Sequence, residues 1–430
     1  MDRNLRTLQI GFYENELCCN ILPFWLDRCE DKENGGYLNC FTNDGSRLVS
    51  RNKYIWSEGR FLWLFSKMAR MKRPFTSVQR ARFLELAKSG RDFLVQHGFA
   101  EGKPLRCVFL TDDKGNPLYV PGYDRYDIST GADGFAIIGL CEYALTADDR
   151  ETYQIVKELY ESTMEREESF RFGAYPYPIS DRYVQHGMYM GWVLRSFCMS
   201  RAADHFEPDY SPIPKKRMRD AIHILMTRFV DDAYVLREVL YRDFTIVPGA
   251  FGNHSNPGHT LEEMWFVQQG TELLGDISYT ETCAKVAKKA LENGWDPVYG
   301  GLYHFCSVTG GEPIAAEGDP VDEPTYHQLM NGWGDKLWWV HSEGLYSALL
   351  FATLTDDKEL MDWYWKLFEY IFRVHPNPNR EIKEWVQILT RDNRPQEKVT
   401  GLPVKDPFHI ARNLICILEL LYAEEEKDIH

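Results

Sequence analysis

The stretch Asn256-Pro257-Gly258-His259-Thr260-Leu261-Glu262-Glu263-Met264-Trp265-Phe266 decides how the chain is read. Asn-Pro-Gly is a turn signal that sets up a helix start. The run after it predicts an amphipathic helix, with Leu261, Met264, Trp265 and later Leu273 and Leu274 on one side. His259 stands at the helix entrance and Glu262 follows at i+3, so both project from one face of the first turn. An imidazole is the side chain that changes charge near neutral pH. At the positive end of a helix dipole it suits a general base acting on a substrate that becomes anionic. The plainer reading makes His259 a cap and Glu262 a dipole partner. The stretch alone favours that reading, and the rest of the chain shifts the balance.

Outward from it, helical patterning recurs in about twelve segments that fall into pairs. They are 5–29 with 55–70, 78–97 with 131–146, 150–166 with 186–203, 216–230 with 259–274, 279–293 with 336–353, and 358–374 with 408–422. Links between pairs are short (71–77, 147–149, 355–357), whereas links inside pairs are long. Several long links carry a strand-turn-strand signature: Gly35-Gly36-Tyr37 before Thr42-Asn43-Asp44-Gly45, and Gly300-Gly301-Leu302-Tyr303 before Thr309-Gly310-Gly311. Similar turns stand at Thr111-Asp112-Asp113-Lys114-Gly115 and Thr390-Arg391-Asp392-Asn393. About six helix pairs with alternating links imply a closed ring of helical hairpins. One helix of each pair then faces the axis, and the long loops, as small β-hairpins, collect at one end around a cavity. Loops on a rigid scaffold are where chemistry is usually placed. An open solenoid is the alternative. With no Gly/Ser linker, residues 1–430 read as one all-α catalytic domain.

The bulk properties narrow the partners. Of 430 residues, 44% are hydrophobic and 26% charged, as in a soluble globular protein. The net charge of -15 disfavours nucleic acid or an anionic membrane as partner. No signal peptide or membrane-spanning run is present, and the ten cysteines form no C-x-x-C pair, so the expected location is cytoplasmic with reduced, mostly buried thiols. Aromatic residues, at 14%, are abundant and fit a sugar-binding cleft, but they fit a large core as well, and the core must account for most of them.

The first turns of the second helices carry a chemical set. The first has Trp56, Glu58, Arg60 and Trp63, the third His186, Met188 and Tyr189, and the fourth His259 and Glu262. The fifth has Trp338, Trp339, His341 and Glu343, and the sixth His409 and Arg412. Each has a plainer role. His409 also fits a helix start, and His341 a structural contact. Glu343 equally pairs with a cation on a neighbouring inner helix, and of Trp338 and Trp339 at most one faces a cavity squarely. Glu384-Trp385 fits the mouth or loop packing alike. Arg60 lies in an apolar aromatic run, where an unpaired charge is costly, so it needs an acidic partner or a polar ligand.

No metal is expected: H-x-x-E is too short for the H-E-x-x-H pairing and no third ligand is evident. There is no phosphate loop, dinucleotide fingerprint or G-x-S-x-G elbow. Two histidines plus cations, without a cofactor, point to proton transfer at a carbon next to a carbonyl. A glycoside hydrolase would pair Asp133 with Glu262 or Glu343, leaving the histidines without a role. A non-catalytic sugar-binding protein is the third reading.

Five elements in this order span nearly the whole chain: Ile55-Trp56 with Arg60-Phe61-Leu62-Trp63; Asn256-Pro257-Gly258-His259 with Glu262; Tyr299-Gly300-Gly301-Leu302-Tyr303; Lys336-Leu337-Trp338-Trp339-Val340-His341-Ser342-Glu343; and Phe408-His409 with Arg412. Together they resemble the N-acylglucosamine 2-epimerase family, which includes cellobiose 2-epimerases, mannose isomerases and sulfoquinovose isomerases. The resemblance implies an (α/α)6 barrel acting on a small sugar, with His259 and His409 as acid/base pair and Arg60 steadying the carbonyl oxygen. It implies that Glu262 supports His259, that Trp339 and Glu343 shape the pocket, and that Trp63, Met188, Trp338 and Arg412 complete the substrate contacts. A homodimer is compatible with it. Some relatives use ATP as an effector, but no phosphate-binding motif supports that here. The chain departs from the family at Phe251-Gly252-Asn253-His254-Ser255, where many relatives carry an Arg, and in the loop Thr400-Gly401-Leu402-Pro403-Val404-Lys405-Asp406-Pro407. Both places would touch substrate, so the N-acyl preference stays open. So does the choice between 2-epimerase and aldose–ketose isomerase, which share all these parts.

Overall fold

The two shortest links are built from paired aspartates. Asp148 and Asp356 end their helices in the left-handed conformation (φ 50° and 52°). The next residue in each case, Asp149 or Asp357, caps the following helix by accepting a backbone N–H with its carboxylate. A left-handed C-cap followed by an acidic N-cap reverses the chain within two residues. The computed structural model, which describes residues 2–428, contains twelve long helices among those residues. Helix α1 runs Arg3–Asn15, passes a π-turn at Glu16–Ile21 and continues as Leu22–Arg28. Then come α2 (Ile55–Arg70), α3 (Ser77–His97), α4 (Thr130–Ala147), α5 (Arg150–Glu168) and α6 (His186–Phe206). Helix α7 is Pro212–Ile224 with a π-turn at Leu225–Phe229. Last are α8 (Pro257–Leu273), α9 (Thr280–Gly294), α10 (Trp338–Thr355), α11 (Lys358–Val374) and α12 (Phe408–Lys427).

The even-numbered helices form a closed inner ring. Helix α2 packs on α4, α4 on α6, α6 on α8, α8 on α10, α10 on α12, and α12 returns to α2. Each odd-numbered helix lies outside and packs on an inner one. This is the (α/α)6 barrel expected from the loop lengths, and closure rules out the open solenoid. Burial separates the layers. Helix α10 is buried almost all round, from Trp338 to Ala352, whereas α11 buries a single stripe of Leu360, Tyr364, Leu367, Tyr370 and Ile371. Helix α8 was expected to be amphipathic. Instead it is buried on every side through Thr271, because inner helices meet neighbours on both flanks and the outer layer behind. Helices α2 and α4 approach so closely that a Cβ on Gly59 would sit 2.2 Å from the carbonyl oxygen of Phe135.

The long loops gather at one end. Four two- or three-residue ladders join consecutive loops rather than folding one loop back on itself: 53–54 with 110–111, 183–185 with 239–241, 254–255 with 306–307, and 336–337 with 388–389. The expected hairpin turns close through single bridges such as Thr111 with Pro117 and Phe41 with Leu48. Each ladder leads directly into an inner helix, so it fixes where that helix's first side chains point. Among the described residues, no helix is long and apolar enough to cross a membrane.

Candidate active site

At the loop end the inner helices surround a cavity of about 710 Å³. Arg60, Met188, His259, Glu262, Trp338, Trp339 and His409 are on its wall. His259 is held at the start of α8 because Asn256, not His259, is the cap: its side chain accepts the His259 backbone N–H at 3.2 Å. The imidazole is left free and 38% exposed. Its Nδ1–H donates to Glu238 Oε2 at 3.0 Å, which leaves Nε2 as the nitrogen that can accept a proton. His409, near the start of α12, is buried, and its Nδ1–H donates to Glu343 Oε1 at 2.7 Å. Burial pushes its pKa down to about 3, with the Arg60 and Arg412 guanidiniums adding to the effect and Glu262 opposing it. His409 is therefore neutral at physiological pH. The rings of His259 and His409 both lie against Trp339, at centroid distances of 5.1 and 5.5 Å. They share one cavity and are no farther apart than the sum of those distances.

Arg60 has the acidic partner its surroundings demand: Asp406 from the last long loop. Its guanidinium stands over the Phe135 ring at 4.1 Å and near Phe408 and Trp56 at 5.1 and 5.3 Å, an apolar frame that concentrates its charge toward the cavity.

Three residues expected at the wall lie behind it. Trp63, Glu343 and Arg412 sit about one turn deeper along their helices than Arg60, Trp339 and His409, which reach the cavity. Trp63 packs edge-on against Phe408 at 5.6 Å. Arg412 bridges Glu262 and Glu343, bonding both carboxylates through Nη2, the second at 2.6 Å. Glu343 also accepts the Trp265 indole N–H at 2.8 Å. Glu262 thus serves the His409 side, lying 3.8 Å from its Nδ1, and the support of His259 falls to Glu238. Trp338 and Trp339 both reach the wall, since Trp338 is the first helical residue and its ring hangs off the helix end. His341 is structural: Nδ1 donates to Leu337 O and Nε2 accepts the Leu302 N–H. Glu384 and Trp385 are buried in loop packing. Asp133 pairs with Arg166 at 2.9 Å and is not on the cavity wall.

Several wall residues escaped the sequence reading. Glu238 precedes the 239–241 strand, and only its pairing with 183–185 brings it to His186 and His259. His186, read merely as lining, donates to Glu238 at 3.1 Å and to Glu263 on its other side. Burial alone would lower its pKa, but the two carboxylates prevail and raise it to about 10. His254 and His304 also line the cavity, and burial takes His304 down to about 3. Two groups bring His and carboxylate atoms within 4.8 Å of one another, as a cation needs: His186/Glu238/His259 and Glu262/Glu343/His409. In the second, the Arg412 guanidinium already occupies the place of a cation.

The N-acylglucosamine 2-epimerase (GlcNAc 2-epimerase) family pattern matches residues 36–412. The N-acylglucosamine 2-epimerase of Mus musculus is 26% identical over 427 residues, covering 98% of this chain and 94% of its own. The cellobiose 2-epimerase of Bacteroides fragilis is 24% identical, covering 82% of this chain and 90% of its own. Among solved structures, cellobiose 2-epimerase from Bacillus thermoamylovorans matches with a TM-score of 0.76 at 19% identity, over 96% of this chain and 100% of the other, a likeness of fold.

Proposed function

The chain belongs to the N-acylglucosamine 2-epimerase family, and on that premise we propose that it is a carbohydrate 2-epimerase working through two histidines. The observation that carries this reading is the pair of imidazoles on one cavity, each oriented by its own carboxylate through Nδ1 and each presenting Nε2. The open-chain sugar places C2 between them. The neutral histidine on one side takes the C2 proton, and the electron pair moves into the C1 carbonyl to give an enediolate. Arg60 stabilises the oxygen on which charge develops, in a frame of aromatic rings that keeps water away. The other histidine, protonated, returns a proton to the opposite face of C2. Glu238 and Glu343 stabilise the imidazolium that forms on each side.

The hydrolase reading loses its support, because Asp133 is tied to Arg166 away from the cavity. An aldose–ketose isomerase would use the same parts and protonate C1 instead of C2. The chemistry calls for no cofactor. Ten free thiols, eight of them buried, suit a reducing cytoplasmic setting.

The test is proton NMR in D₂O across N-acylated and plain hexoses and disaccharides. Deuterium entering C2 together with the 2-epimer is the expected result. A ketose product makes the enzyme an isomerase, and bond cleavage or no exchange with any sugar overturns the proposal.

A further inference from the structure

Two imidazoles and a carboxylate meet on the cavity wall around one oxygen. Glu238 Oε2 lies 3.1 Å from His186 Nε2 and 3.0 Å from His259 Nδ1. In a tetrahedron of ligands about 2.0–2.1 Å from a zinc ion, neighbouring ligand atoms stand roughly 3.3 Å apart. Both distances from the carboxylate oxygen are close to that spacing, and the ligand atoms of all three residues lie within 4.8 Å of one another. Both supports are also in place. Glu238 is fixed through its other oxygen, which accepts the Asn256 backbone N–H at 3.0 Å. His186 is fixed from behind by Glu263, which holds its Nδ1. A carboxylate on the far nitrogen of a histidine is the common support of a metal ligand, because it sets the tautomer and strengthens the near nitrogen as a donor.

Two carboxylates of this group, Glu238 and Glu263, are buried. Glu263 Oε1 is buried with no hydrogen-bond partner among the described residues.

We propose that His186, Glu238 and His259 form a site for a divalent first-row transition metal of the zinc class, and that filling it switches the enzyme off. Two imidazoles with one carboxylate are a donor set for such ions, with the fourth position open to water from the cavity. On binding, the Nε2 proton of His186 leaves to solvent and its lone pair goes to the metal. His259 offers its Nδ1 lone pair, and its proton shifts to Nε2. That shift is the inhibitory step, since an Nε2 that carries hydrogen cannot accept a proton from C2. The binding half stands on geometry alone. The inhibitory half rests on the proposed role of His259.

The experiment uses the full-length enzyme, cleared of metal with EDTA and dialysed, and titrated with Zn²⁺ by calorimetry and with Co²⁺ by visible absorption. One equivalent should bind, with proton release seen as a buffer-dependent enthalpy and weaker binding at lower pH. X-ray absorption of the zinc-loaded wild type should show two imidazoles and no sulfur. His186→Gln should weaken binding by about 10–100-fold or more. Absence of binding, a sulfur ligand, or binding unchanged in His186→Gln each overturns the site. Epimerase activity should fall in step with occupancy and return with EDTA. Full activity with the site filled would leave the site standing and overturn both the inhibition and the role of His259.

Discussion

Replacing Glu343 with Gln should cost turnover and leave sugar binding nearly unchanged. Glu343 does not touch the cavity, yet it satisfies three donors: His409 Nδ1 at 2.7 Å, Arg412 Nη2 at 2.6 Å and Trp265 Nε1 at 2.8 Å. Glutamine keeps the shape and offers one oxygen. If that oxygen faces His409 and Arg412, its NH₂ confronts the Trp265 N–H. If it turns, its NH₂ confronts the Nδ1–H of His409, which then relaxes to the tautomer carrying hydrogen on Nε2 and ceases to be a base. Losing the charge-assisted bond alone is worth about 1.5–3 kcal/mol, or about 10- to 150-fold in rate. Losing the correct tautomer removes a positioned base, about 10²- to 10⁴-fold. Glu343→Gln should therefore lower kcat by about 10- to 10⁴-fold at a KM within about threefold of wild type, the separation expected of an interaction used in the transition state. The assay follows both 2-epimers by proton NMR beside a thermal melt. A folded variant with kcat within about twofold of wild type would refute the reasoning.

Three further outcomes follow from the same geometry. Gly258→Ala would place a Cβ 2.5 Å from Trp339 Cζ3. It should shift the ring against which both histidines rest and lower kcat/KM by about 10–100-fold, since displacements near 1 Å carry costs of that size; unaltered steady-state kinetics would contradict this. Arg412→Met leaves Glu262 and Glu343 buried against each other, and urea unfolding should show a loss of about 3–5 kcal/mol; a midpoint like wild type's would mean that the guanidinium holds nothing together. Burial lowers His304 and His409 to about 3 and His375 to about 4. Each folded imidazole stays neutral while its unfolded counterpart takes a proton near 6.5, so folding stability is constant above that pH and falls as pH drops toward the folded values. Each contributes about 2 kcal/mol of that loss between pH 6.5 and 5. His375→Leu should flatten the pH dependence of the urea midpoint, and an unchanged slope would count against a neutral His375.

The ring was legible because it is written in local signals: helix periodicity, and links that alternate between short and long. His259, His409, Arg60 and Trp339 were legible for a related reason. They stand at or near the first turns of helices that follow long loops, and those turns must point at the cavity. Depth along a helix was not legible. Spacing assigns a residue to a face, but the floor of the cavity is set by packing between helices, and it leaves Trp63, Glu343 and Arg412 behind the wall. Nor was the partner of Glu262. The i+3 relation suggested His259, whereas the nearest cation comes from α12, on another hairpin of the ring. Glu238 carried no signal, because its place depends on a ladder between two loops more than fifty residues apart.

The central claim is that two histidines, each supported by its own carboxylate, work on the same carbon. It is tested most directly by deuterium wash-in with the single variants His259→Asn and His409→Asn, each given both 2-epimers of the accepted sugar. A two-base enzyme that has lost one base can still exchange the C2 proton of the epimer facing the other, without inverting it. The account predicts that each variant loses epimerisation by at least about 10²-fold and exchanges deuterium into one epimer only, the opposite one for the two variants. Exchange into the same epimer by both variants, or epimerisation near the wild-type rate in either, would contradict it.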